Sequence, residues 1–173
     1  MKKMALSSFF LALGMVLPFF TSQIKEIGDT LLPMHIPIML CGLLCGAKYG
    51  FATGFILPLL RAVLFSMPPL YPNAIWMAFE LATYGFIIGI LYGRVKNHSI
   101  SYLYICLFVS MLSGRIVWGI VKTILLGFGD HPFTFHAFIV GGFIDAVPGI
   151  ILQFILIPVI MRAIYHQRKD NEI

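Results

Sequence analysis

The chain has 173 residues, 60% of them hydrophobic and only 11% charged, with a formal net charge of +5. A soluble globular domain carries nearer a quarter charged residues, so this composition excludes water as the main solvent. At roughly 20 apolar residues per membrane span, the length suffices for about six spans on tight loops, and nothing remains for a separate catalytic domain.

The first apolar run covers about 4–22 and follows Lys2 and Lys3. Basic-then-apolar is the form of a signal peptide, but no small-x-small cleavage site follows, which predicts an uncleaved first helix. On it, Ser8 and Ala12 form a small-x-x-x-small pair suited to facing a partner helix. The second and third runs, 31–47 and 51–66, are short for spans and carry Pro33, Pro37 and Pro58. Proline in a membrane helix frees a carbonyl, which is tolerated where protein or a wet cavity satisfies it. A cavity lined by broken helix ends and open to the outer face is therefore expected.

Glycines recur at every fourth position, at Gly42, Gly46, Gly50 and Gly54 and again at Gly85, Gly89 and Gly93. Such strips let helix backbones approach, so they predict internal packing. The segment SMPPLYPN, 66–73, holds three prolines and no charge, and is expected to be a stiff lid or a tight turn. Runs at 73–93, 102–127 and 134–164 complete an all-α bundle of six transmembrane helices in one membrane domain, 1–173.

Cationic loops stay on the cytoplasmic face. With both termini inside, Lys2, Lys3, Lys48, Arg94, Lys96, Arg162, Arg168 and Lys169 all fall inside and Lys25 alone falls outside. A five-span arrangement, with 31–66 as one re-entrant hairpin, puts the termini on opposite faces and makes the basic loops disagree.

Five ionisable residues lie within spans: Arg61, Glu80, Arg115, Lys122 and Asp145. Each costs roughly 2.5–3.5 kcal/mol at the centre of a lipid-facing helix, so they must pair, face a cavity or sit near an interface. Counted inward from the outer face, they converge on the outer half of the bundle. Two salt bridges and a snorkelling cation account for them structurally; as a pocket, three cations against two carboxylates leave about one positive charge for an anionic solute. At helical spacing Asn73, Trp76, Glu80 and Tyr84 share a face, and Trp118 lies one turn from both Arg115 and Lys122, offering a second ring. His35 and His131, on the outer side, are further candidate ligand contacts. The cysteines Cys41, Cys45 and Cys106 read as small buried residues, no HExxH or other metal motif occurs, and no Walker A sequence is present. An active transporter built on this chain takes its ATPase from another chain.

The run PMHIPIMLCGLLCGAKYGFATGFILPLLRAVLF followed by MAFELATYGFIIGILYG, with the size, six spans and basic C-terminal tail, resembles the substrate-binding S component of energy-coupling factor (ECF) vitamin transporters. The resemblance implies a multi-pass protein of a prokaryotic plasma membrane that captures a vitamin or its precursor outside, without a cofactor of its own. It implies a coupling transmembrane subunit and two ATPase subunits as partners, the latter consuming ATP, with the lipid bilayer around them and no nucleic acid. The family often docks through an alanine-x-x-x-alanine motif on the first helix; Ser8 with Ala12 departs from it at one position. The surplus of pocket cations points first to pantothenate, then to pyridoxine or hydroxymethylpyrimidine ligands, folate or cobalamin, and disfavours cationic thiamine. The competing classes are a small intramembrane lipid enzyme, for which Glu80, Asp145 and His136 are the available set, and a self-contained channel or carrier, for which internal repeats are lacking.

Overall fold

The computed structural model describes residues 2–21, 32–95, 99–126 and 134–170. Among them the order is α1 (Lys2–Thr21), α2 (His35–Cys45), α3 (Ala47–Phe65), α4 (Ile75–Gly93), α5 (Ile100–Leu126), α6 (Phe135–Ile139) and α7 (Val147–Asp170). Among the described residues five helical stretches are long and apolar enough to cross a membrane: Lys2–Phe20, Ala47–Phe65, Leu70–Gly93, Ile100–Leu126 and His136–Tyr165. The protein is thus a multi-span, all-helical membrane bundle. The second apolar run, 31–47, differs from expectation, because its helix α2 has only 11 residues.

α2 is the hub. A helix that is apolar all round is stable when buried all round, and every residue of α2 except Leu44 is buried, against α1, α3 and α4. α1 is one-sided: Ser7, Phe10, Gly14 and Pro18 recur at three or four residues and turn inward, while Phe9, Val16 and Phe20 are exposed. On α5 the outward stripe is Ile105, Phe108, Leu112, Ile116, Ile120 and Ile124. In water so long an apolar stripe is an interaction site or a liability; in a bilayer it is the lipid contact.

The glycine strips do pack the bundle. A Cβ on Gly54 would stand 2.4 Å from the Leu81 carbonyl oxygen, and one on Gly85 would stand 2.3 Å from that of Gly50, so α3 and α4 touch backbone to backbone. Gly46 has another job. It joins α2 to α3 at φ 98°, a left-handed conformation that glycine adopts without steric cost. Its N–H donates to the Gly42 carbonyl at 3.1 Å and its own carbonyl accepts from Gly50 N–H at 3.0 Å. The expected break at 48–50 is thereby corrected to one residue, and Lys48 lies in the first turn of α3.

Two wide turns modify the remaining runs. Before α4, Leu70–Ala74 winds with Tyr71 extended, and Ala74 N–H donates to the Pro69 carbonyl at 3.0 Å. The single helix expected over 134–164 is interrupted: after α6 the turn Val140–Ile144 closes with Asp145 N–H on the Val140 carbonyl at 2.9 Å. Thr134 caps α6 by accepting from Ala137 N–H at 3.3 Å, satisfying one of the donors a helix start leaves open.

Candidate functional site

Glu80 stands on the inward face of α4, 3% exposed, and one of its oxygens, Oε1, gathers three neighbours. Arg115 Nη1 from α5 lies at 2.9 Å, the Tyr84 hydroxyl donates to it at 3.0 Å from one turn along α4, and His35 Nε2, from the first residue of α2, lies at 3.6 Å. The i, i+4 spacing of Glu80 and Tyr84 sets the second contact. Tyr84 fits because Gly114 makes room: a Cβ there would be 2.5 Å from the phenol ring. His35 is 2% exposed, and neither ring nitrogen has a hydrogen bond, since 3.6 Å is too long for one. A buried imidazole in that condition lacks the interactions it had in water, a cost of about 1–3 kcal/mol.

An aromatic wall adjoins this cluster. The Lys122 ammonium stands 4.6 Å from the Trp118 ring and 4.9 Å from the Trp76 ring, within the range of cation–π attraction. Arg115 approaches the same Trp118 at 6.0 Å. Phe138 of α6 closes the far side, its ring 6.0 Å from Trp118. Gly119 admits Phe138, for a Cβ there would be 2.4 Å from that ring. The positions 115, 118, 119 and 122 are one face of α5, so a single helix carries both cations and the indole.

The other candidates are distributed differently. Asn73 is half-buried in the wide turn before α4. Arg61, expected with the others, faces away: it donates to the Met15 carbonyl and its guanidinium lies 5.2 Å from the Phe19 ring and 5.6 Å from the Phe65 ring. Asp145 is exposed at the end of the second wide turn, and His136 is exposed on α6; neither joins Glu80. His131 lies outside the described residues. With Arg61 and Asp145 both apart from Glu80, two cations, Arg115 and Lys122, stand near one carboxylate.

Phe138, Gly114 and Gly119 complete the site although none is polar. A glycine directly before Arg115 and another directly after Trp118 are the sequence signals of that close approach; nothing around Phe138 marks it. Gln153 is likewise unmarked, yet it is fully buried on α7 with neither amide atom hydrogen-bonded. A larger cleft of about 570 Å³ lies between α5 and α6 beyond Phe138, lined by Ile116, Ile120, Ile124 and Thr134 among others. Its lining is mainly apolar and includes Ile116, Ile120 and Ile124 of the lipid-facing stripe. On α1, Ser8 and Ala12 are both exposed, with the Ser8 hydroxyl donating to the Met4 carbonyl at 3.1 Å.

A family model described as the substrate-specific component of ECF transporters matches residues 2–161. No curated protein and no solved structure matches the chain. That match runs through every described helix up to the last turns of α7, and with it the chain belongs to the ECF transporter substrate-specific component family.

Proposed function

We propose that this protein captures a small anionic vitamin or vitamin precursor at the outer face of a prokaryotic plasma membrane and passes it to an ATP-driven importer. It performs no catalytic step. Both termini lie in the cytoplasm, six spans cross the bilayer with α2 as the short one, and the solute enters from the end of the bundle that carries Trp76 and Thr134. Pantothenate is the first candidate, followed by pyridoxine or hydroxymethylpyrimidine compounds, folate and cobalamin. A coupling transmembrane subunit docks on the outward face of α1 at Ser8 and Ala12, and two ATPase subunits drive the cycle.

The observation that carries this reading is the division of labour among the site's charges. Glu80 Oε1 is already occupied by Arg115 and Tyr84, which makes it an internal counter-ion and a poor acceptor for a ligand cation. Lys122, set between two indoles, supplies the charge for a carboxylate or phosphate while the rings cover the rest of the solute. His35, with both nitrogens unsatisfied, adds a donor and an acceptor in its neutral form.

The test is a titration of intrinsic fluorescence in the purified protein with a panel of vitamins, since Trp76 and Trp118 both line the site. A saturable response to one anionic compound, lost in Lys122→Gln, is expected. Silence across the panel in folded protein, or a response confined to cationic thiamine, overturns it.

A further inference from the structure

A polar cleft of about 240 Å³ lies toward the far end of α4 from Glu80. It is enclosed by the start of α1, the α2–α3 junction and the ends of α4 and α7, and Tyr92 and Gly93 place it about 18 Å along α4 from Glu80. Lys3 is its cation, and among the described residues no acidic one lines it. Both salt bridges among the described residues belong to Glu80, so neither engages Lys3. Two phenols form the inner wall: Tyr92, 4% exposed, donates to the Tyr165 hydroxyl at 2.9 Å.

The glycines here behave unlike the rest of their strips. Gly42, Gly50, Gly54, Gly85 and Gly89 are each pressed against backbone, but a Cβ on Gly46 or Gly93 would meet nothing within 4 Å. Gly46 is required by its positive φ. Gly93 has no such backbone requirement and no packing requirement, and its missing side chain keeps the cleft open. Apolar walls from Leu44 and Ile164 adjoin the polar ones, while Lys2, Lys48 and Arg94 are exposed on the surrounding helix ends.

The geometry points to a binding site for the headgroup of an anionic phospholipid. Basic recesses between helix ends at the membrane surface suit such headgroups. The phosphate meets Lys3 and the phenol pair, and the glycerol end of the acyl chains runs along the apolar wall. The volume suits a phosphate-glycerol group and is too small for a helix or peptide segment of another protein. In the orientation proposed above this is the inner leaflet, but the charge and shape of the cleft do not depend on that reading.

The experiment uses full-length protein in detergent, titrated separately with phosphatidylglycerol and phosphatidylcholine. Its readouts are the thermal unfolding midpoint and the lipid retained in native mass spectrometry. Phosphatidylglycerol is expected to raise the midpoint saturably and to remain bound at one molecule per chain, and phosphatidylcholine to do neither. Lys3→Gln should weaken the phosphatidylglycerol response about fivefold, the worth of one basic side chain near a membrane surface. Gly93→Leu, which fills the cleft, should abolish it, and both variants should keep the fluorescence response to the vitamin. The proposal is overturned if the two lipids act alike, or if both variants respond to phosphatidylglycerol as the parent does. It is equally overturned if the variants retain that response and instead lose a co-purifying membrane subunit, which would assign the cleft to a carboxylate of that protein.

Discussion

Arg61 and Arg115 are equally buried, each 6% exposed, yet their surroundings have little in common. Arg115 has a carboxylate at 2.9 Å. Arg61 has no carboxylate within ion-pair distance among the described residues; it is held by the Met15 carbonyl and by the faces of Phe19 and Phe65. One cation is neutralised, and the other is solvated by dipoles and ring quadrupoles. The difference teaches that a buried charge does not by itself announce a pocket. At Arg115 each group depends on a partner of opposite sign and the whole stands beside a wall of rings; at Arg61 the charge fastens α3 to the end of α1.

The largest test of this contrast is Glu80→Ala, which strands Arg115 without its counter-ion. Removing one partner of a buried pair costs about 3–5 kcal/mol, so the thermal midpoint of the detergent-solubilised protein should fall sharply and vitamin affinity with it. Next is Gly114→Ala. Its Cβ would press on the fully buried Tyr84 ring, and overpacking of about 2 kcal/mol should appear in denaturation, together with weaker vitamin binding as Tyr84 is pushed off Glu80. The smallest effect is expected for Arg61→Met, which strands no carboxylate among the described residues. A loss of about 1 kcal/mol, the scale of a cation–π contact, with unchanged vitamin affinity is the expected outcome. If Arg61→Met instead matched Glu80→Ala in cost or abolished binding, the two arginines would be equivalent and the contrast would fail.

The long helices were legible because length and apolarity alone define a span. The α2–α3 junction was not: Gly46 sits in register with Gly42, Gly50 and Gly54, and a strip of identical residues hides the one whose backbone turns left-handed. In the site, Glu80 with Tyr84 and Arg115 with Trp118 and Lys122 were legible from helical spacing, since each set lies on one helix face. Arg61 and Asp145 were not. Counting along a helix gives depth but no azimuth, and Arg61 is at a suitable height on the wrong side. Asp145 follows a wide turn, where one extra residue rotates whatever comes after by about 100°, carrying it out of line with the inward face.

The shortness of α2 has a consequence for the work of import. Its 11 residues rise about 16 Å, roughly half of a hydrocarbon core of ~30 Å. His35 begins that helix and stands 3.6 Å from Glu80, so on the function proposed above a solute resting beside this pair would lie about one α2 length, roughly half the oil, from the basic end of the bundle. The remaining half, from His35 past Gly46 to the basic end, is spanned by a helix whose packing is almost wholly protein. On that proposal the fold itself would divide the dielectric barrier in two, one half met on binding and the other left for the driven step.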